Sequence, residues 1–449
     1  MYTIVELWLR QESPYLLTRK SERGLMYSTD WLVEANTVRA ALLTAYMYEQ
    51  CQRLRDHVSH CQRFDNICRA SLVEVCGNCN MRQRCPVYVD TVNNVITWHS
   101  LLPTVDENTV TWYQTTFIGK CKLDPRSIVL TKFNIFEDAV YRCPIDIFTE
   151  EGESRYVIPL KDLVEVAVTS RKVRTRVLVP ETYVRTEVAI SKLTSTALFG
   201  MLYNYEAVTC FSSKEVQLLT EREVSKEGVS KTLKGILQLE TGQKSGTKCR
   251  LYWTFIAIPE QRKELVDVFK QLEKKVVRIG RALSRGFGKF IIEKVSESTF
   301  DTFVKTRLGP YVKYLEECVN VIKNWPKKIL PLVPESKLVV VPLDAAPTLD
   351  NTVKMLHIAL KDIIRKDIKI GIKGSVDKLR LWSATSNVPK LACYQISRGV
   401  KIFVEFQEVD TDLVQSLINL YVTGLRTGNN IFIPSGYNTL KVPIFSIKN

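Results

Sequence analysis

Between Thr3 and Arg10 apolar and polar side chains alternate with a period of two. Thr3, Val5, Leu7 and Leu9 fall on one face and Ile4, Glu6, Trp8 and Arg10 on the other. That period predicts a half-buried strand at the start of the chain. A polar stretch from Arg19 to Asp30 follows. Beyond it Asn36-Thr37 is the expected cap of a helix whose apolar stripe is Val38, Ala41, Leu42, Ala45 and Tyr46. The opening reads strand, loop, helix.

From Cys51 to Cys85 the apolar pattern breaks into a polar, basic segment, which reads as an insertion held by something other than an apolar core. Residues 100–180 are rich in Val, Ile and Thr in short alternations. Residues 183–210 read as two strands around Lys192-Leu193-Thr194-Ser195-Thr196, and Leu233 to Glu240 with Arg250 to Ile258 as a further pair. Leu265, Val266, Phe269, Leu272, Val276 and Val277 predict an amphipathic helix from Glu264 to Arg278 that stops at Gly280, before a strand at Phe290-Ile291-Ile292. The Pro-bearing stretch from Asn324 to Pro334 reads as a linker. After it, Lys337 to Pro342, a helix from Leu349 to Arg365 and strands at 391–406 predict a second α+β unit. No period of 20 to 50 residues appears, which excludes a solenoid.

With 449 residues, the chain is long enough for two or three domains. Its 45% hydrophobic and 25% charged residues exclude disordered, collagen-like and coiled-coil classes. The excess of 63 basic over 48 acidic residues, a net charge of +15, favours a polyanionic partner. No run approaches the ~18 apolar residues that span a bilayer, and the first ten residues, with Glu6 among them, do not read as a signal peptide. The expectation is a cytoplasmic protein without a membrane partner. In that compartment twelve cysteines point to thiolates holding a metal rather than to disulfides.

Two motifs carry candidate chemistry. Cys68, Cys76, Cys79 and Cys85 form a C-x7-C-x2-C-x5-C arrangement with Gly77-Asn78 inside the knuckle. A two-residue spacing lets thiolates converge on one zinc ion, and four of them saturate it, which predicts a structural rather than a hydrolytic site. Cys51, His57, His60 and Cys61 lie just upstream as alternative ligands, with the histidines read as exposed on a charged helix. The second motif runs from Arg278 to Lys289. Gly280, Gly286 and Gly288 permit close backbone approach, and Arg278, Arg281, Arg285 and Lys289 supply positive charge for phosphates. The order helix, loop, strand excludes dinucleotide and P-loop readings. Arg39, in the first turn of the first helix, is a further candidate for an anion, since in a β-α-β-β-α-β domain that helix and the segment before the last strand flank one sheet.

Thr37-Val38-Arg39-Ala40-Ala41-Leu42, the span from Arg185 to Tyr203, and Gly280-Arg281 to Ser284-Arg285-Gly286-Phe287-Gly288 occur in an order that resembles the RAMP superfamily of CRISPR-associated RNA-binding proteins. The chain looks most like the type III-D subunit related to the five-prime-handle-capping protein of effector complexes. The resemblance covers about residues 1–300. It departs from the family pattern where Glu34-Ala35-Asn36-Thr37 stands in place of the usual Gly-Ser-Ser or Gly-Thr, where Ala40 rather than Gly follows Arg39, and where the thumb has Glu187 and Ser191 in place of His or Arg with Asp.

The resemblance implies an α+β fold of two ferredoxin-like (RRM-like) β-α-β-β-α-β domains, at 1–325 with a zinc-binding insertion and at 335–449. It implies a non-catalytic subunit that binds the 5′ handle of crRNA as single-stranded RNA. Its partners would be the large polymerase/cyclase-like subunit and the backbone RAMP subunits, with target RNA met indirectly. Carried over by position, Arg39, Gly280, Arg281, Ser284, Arg285, Gly286, Phe287, Gly288 and Lys289 would contact the RNA, and the hairpin from Arg185 to Tyr203 would be the thumb. Phe287, Tyr203 and Trp31 are candidates to stack on bases.

Alternatives are a backbone or 3′-end cap subunit, or a guide-processing or target-cleaving endoribonuclease with Asp30 as the residue for a catalytic metal. A solvated loop acid is the simpler account of Asp30. The four histidines do not form a convergent acid–base set, and no nucleophile elbow, kinase or Walker signature occurs. A zinc-bearing DNA regulator would carry base-reading side chains on a recognition helix, whereas the helix after Thr37 is apolar on one face and lightly charged on the other.

Overall fold

The computed structural model describes residues 2–17, 26–27, 32–51, 79, 82–108, 111–121, 128–129, 142–150, 173–190, 197–218, 237–239, 248–281, 283–324, 328–373, 376–383, 388–398, 400–426, 428 and 431–442. The chain begins with β1 (Tyr2–Gln11) and α1 (Ala35–Gln50), followed by α2 (Pro86–Asn93), β2 (Thr97–Trp98) and β3 (Leu102–Thr104). Four long strands come next: β4 (Thr111–Cys121), β5 (Arg142–Glu150), β6 (Val173–Ile190) and β7 (Ala197–Leu218). The chain returns through β8 (Leu251–Pro259), α3 (Glu264–Lys270), β9 (Val276–Arg278) and β10 (Lys289–Thr299) to helices α4 (Phe300–Arg307) and α5 (Gly309–Lys323). The last part holds β11 (Ile329–Pro334), α6 (Leu349–Ile364), β12 (Ile368–Lys373), β13 (Val376–Ser383), β14 (Val388–Ile396), β15 (Lys401–Phe406), α7 (Asp412–Thr423) and β16 (Leu440–Lys441). The architecture is mixed α+β with several sheets. Among the described residues no helix is long and apolar enough to cross a membrane.

The first sheet has the order β9-β10-β1-β8-β2, with β3 also on β8. With α1 between β1 and β2 and α3 between β8 and β10, its connectivity is β-α-β-β-α-β. On the helix-bearing face Val5 stands beside Ile256 and Leu9 beside Tyr252. Trp98, next to Ile256, meets Phe269 of α3 edge-on at 5.7 Å. The alternation in β1 predicts one solvated face, yet every residue from Thr3 to Leu9 is buried. The second face is covered by later helices: Phe303 of α4 lies 4.6 Å from Phe255 and stacks on Trp253 at 6.4 Å, and Tyr421 of α7 reaches Phe255 at 6.1 Å. Glu6 is tolerated there because it accepts hydrogen bonds from Trp253 Nε1 at 3.1 Å and Arg307 Nε at 2.8 Å.

The second sheet, whose main strands run β7-β6-β5-β4, enters between β3 and β8. Its largest feature is the hairpin β6–β7, in register from Val173↔Leu218 to Ile190↔Ala197. The hairpin expected at 183–210 is therefore present and longer at its base.

The third sheet, β12-β15-β11-β16, repeats the connectivity of the first, with α6 between β11 and β12 and α7 between β15 and β16. A hairpin, β13–β14, enters between its second and third strands.

Four further expectations differ from the structure. The helix expected over 264–278 ends at Lys270; Lys274 takes a left-handed φ of 63°, and Val276, whose branched side chain favours extended backbone, begins β9. The first helix starts at Ala35 after Glu34, with no side-chain cap, rather than behind Asn36-Thr37. Leu237–Leu239 and β8 are both strands, but they join β7 and β1 respectively and are not a pair. The stretch read as a linker contains β11, a strand of the third sheet.

Candidate nucleic-acid interface

The glycine-rich segment is the loop of the hairpin β9–β10, closed by the pair Arg278↔Lys289. Its backbone is fastened to the segment after β1. Arg281 N–H donates to Leu16 O at 2.9 Å, Gly288 N–H to Pro14 O at 2.7 Å, and Ile279 N–H to Gly288 O at 2.8 Å. Lys289 O accepts from Glu12 and Ser13 N–H at 2.9 and 3.2 Å, and Ser13 Oγ accepts from Lys289 N–H at 2.9 Å. Such closeness demands glycine. A Cβ at Gly280 (φ +97°) would lie 2.4 Å from Leu16 O, and one at Gly288 (φ +70°) 1.9 Å from Ile279 O.

With its inner edge used up, the loop turns its charged part outward. Arg278, Arg281, Ser284, Arg285 and Gly286 are exposed and Lys289 is half-buried. Among the described residues no ion pair joins Arg278 or Arg281 to a carboxylate. Phe287, 1% exposed, props the loop from beneath and lies parallel to Tyr183 of β6 at 6.5 Å, at an interplanar angle of 12°. Loop and hairpin base thus share a ring contact. Tyr183 was not singled out from the sequence, where nothing distinguishes it from other strand tyrosines.

The hairpin is anchored beside that contact. Glu181, at a β-bulge, accepts from Ser212 Oγ and from Cys210 Sγ at 3.2 Å, and pairs with Lys248 at 3.1 Å. The Ser212 and Cys210 hydrogen bonds, then Lys248, bring its carboxyl down to about 2.

Arg39 is committed elsewhere. Its Nε pairs with Asp90 of α2, which is 1% exposed and also accepts from Trp98 Nε1 at 3.0 Å and Ser435 Oγ at 2.7 Å. About a quarter of the Arg39 side chain stays exposed. The N-terminus of α1 faces the later part of the chain: Glu34 pairs with Arg398 at 3.1 Å, Asn36 Nδ2 donates to Tyr437 Oη at 2.8 Å, and a Cβ at Gly436 would lie 2.7 Å from Asn36 Cα. No local pattern in the sequence announces partners so distant.

Of the four expected metal ligands, Cys79 and Cys85 are described, whereas Cys68 and Cys76 lie outside the described residues, as do His57, His60, Cys61, Asp30 and Trp31. Among the described residues no group of three or more His, Cys, Asp or Glu is set to hold a metal ion. Cys85, at the N-cap of α2, has its thiol pushed up by burial, against hydrogen bonds from the Tyr88 and Val87 backbone. Those N–H groups are the donors that a metal-bound sulfur takes. Burial first, then Cys85, Cys51 and Cys79, push the Tyr46 hydroxyl up to about 12. The backbone of Tyr203 lies in β7.

No family model and no curated protein matches the chain. Among solved structures it is similar to a chain of the Type III-B Cmr-beta bound to cognate target RNA and AMPPnP. The identity is 12% and the TM-score 0.33, with 99% of this chain and 100% of that chain covered. The Csm3-Csm4 subcomplex of the type III-A CRISPR-Cas interference complex gives 12% identity and a TM-score of 0.27 over 92% of this chain and 95% of that chain. Cas6 in a substrate mimic complex gives 12% and 0.21 over 44% and 81%.

Proposed function

We propose that this chain is a non-catalytic RNA-binding subunit of a type III CRISPR effector ribonucleoprotein, acting in RNA-guided antiviral defence. In this reading both β-α-β-β-α-β units are ferredoxin-like, and the first grips the 5′ repeat-derived handle of crRNA and docks to the large signalling subunit. The observation that carries the proposal is the β9–β10 loop. Its backbone is fixed from behind, and it offers Arg278, Arg281 and Arg285 outward on a preformed frame. A phosphate meeting such a frame gains charge-assisted hydrogen bonds without ordering the loop first.

Arg281, Arg285, Ser284 and Lys289 take the phosphates, and Gly280, Gly286 and Gly288 give the loop its shape. Phe287 acts by supporting the loop, and Arg39, held by Asp90, acts by positioning α1. Hairpin β6–β7 extends the surface as the thumb. The helix-free face of the first sheet, where RRM-like domains stack bases, is covered here by Phe303 and Tyr421. RNA would therefore be held at the sheet's edge.

We also infer a structural zinc ion held by Cys68, Cys76, Cys79 and Cys85, the last with N–H donors around its sulfur. Bound there, zinc would supply folding energy to the insertion and no chemistry. Native purification followed by mass spectrometry tests the proposal. Small RNA, effector subunits and one zinc per chain are the expected companions, and a preparation free of RNA and of such subunits would overturn it.

A further inference from the structure

The junction between the two units encloses ionisable side chains that take no part in the surface just described. His99, directly after β2, comes from the first unit, and Glu335, directly after β11, and Lys441 of β16 come from the second. Each is 1% exposed. Phe255 of β8 stacks on the His99 ring at 3.7 Å, and Tyr421 of α7 makes a T-shaped contact with it at 5.4 Å.

The surroundings of the ring fix where its protons sit. His99 Nε2 lies 3.1 Å from Val422 O. A carbonyl oxygen only accepts, so Nε2 carries a hydrogen, and in the neutral ring Nδ1 is then a bare acceptor. Nδ1 nevertheless faces Glu335 Oε2, a second acceptor, at 3.7 Å, and neither atom has a hydrogen-bond partner. Two buried acceptors left face to face are costly. One proton between them turns the opposition into a charge-assisted pair.

The titratable groups that surround this pair are Lys441 from β16, Tyr421 from α7 and Tyr311 from α5, with Cys318 behind Tyr311. Desolvation opposes a charged Glu335, but Lys441, His99 and Tyr421 hold its carboxyl below the usual range. The proton therefore belongs to the ring. Because Lys441 already answers the carboxylate, the ring can release that proton without leaving Glu335 an uncompensated buried charge. Histidine is the side chain whose charge ordinarily changes between about pH 5 and 8.

We infer that His99 is a pH-responsive pin between the two units: as an imidazolium it pairs with Glu335 across the junction, and as a neutral ring it leaves that pairing open and the junction looser. The pairing is complete on the acid side and is lost as pH rises. It stands apart from any RNA that the chain binds.

The experiment is NMR of the histidine rings in the full chain from about pH 5 to 9, with backbone hydrogen exchange followed over the same range and corrected for its intrinsic pH dependence. The chain has four histidines, at 57, 60, 99 and 357. The His99 signal is assigned with His99→Gln or, where that variant fails to fold, by replacing the other three. The expected result is an imidazolium at the acid end and a neutral ring with its hydrogen on Nε2 at the alkaline end. Exchange in α7 and β16 should become at least about tenfold faster across the same transition. A His99 ring that keeps one protonation state throughout overturns the inference, as does one that titrates while exchange in α7 and β16 stays constant after correction.

Discussion

At the scale of single residues the glycine loop makes the sharpest demands. Gly288 and Gly286 share a positive φ, but a Cβ at Gly286 would meet nothing within 4 Å, whereas one at Gly288 would collide with the Ile279 carbonyl. Gly286→Ala is expected to cost about 1 kcal/mol of backbone strain. Gly288→Ala should cost about 3 kcal/mol or displace the loop from Pro14, and thermal denaturation of the two variants separates these outcomes. Asp90 is the second demanding position. Asp90→Ala takes the acceptor from the buried Trp98 indole and the anion from the partly exposed Arg39 guanidinium, while the Ser435 hydroxyl keeps Ile96 O. A loss of about 3 to 5 kcal/mol is expected in denaturant unfolding, and a loss below about 1 kcal/mol would mean that the junction is not structural.

Elements were legible in the sequence where one period was sustained. The alternation from Thr3 to Leu9 identified β1 and the stripe from Val38 to Tyr46 identified α1, because each element's period is sustained in its residues, although both faces of β1 are buried. The misreadings fall where tertiary partners decide. Glu264 to Arg278 satisfies a helical period, and only the turn at Lys274 and the pairing of Val276 with Ile291 divide it. Pro331 and Pro334 made β11 read as a linker. The strand tolerates Pro331 because its second neighbour, β16, pairs only at Val333 and Pro334.

The candidate loop was found from its glycines and charges. Its anchorage to Pro14 and Leu16, and Arg39's commitment to Asp90, needed the fold. The hairpin base carries a pH prediction. The folded-state carboxyl of Glu181 lies near 2, below its ordinary value of 4.5, so its contribution is complete above about 4.5 and is lost as pH falls toward 2. Limited proteolysis of β6–β7 should therefore accelerate over that interval in wild type. In Glu181→Gln it should be fast and independent of pH, and identical profiles would remove Glu181 from the anchor.

On the scale of the whole molecule, two units of one connectivity are fixed to each other by polar contacts that tolerate little displacement. Thr97 Oγ1 donates to Thr423 O at 2.7 Å, and Glu34 pairs with Arg398. His99 stacks on Phe255 at 3.7 Å, with Glu335 beside it. Glu335 is fully buried, and Lys441 and His99 outweigh its desolvation to hold its carboxyl below the usual range.

The most direct test is the salt dependence of single-stranded RNA binding by wild type and Arg281→Ala/Arg285→Ala, with melting temperature measured alongside. If two phosphates sit on the loop, the variant melts like wild type, binds at least about tenfold more weakly, and has a log–log salt slope shallower by about 1.4. Equal affinity and equal slope would show that RNA does not meet this loop.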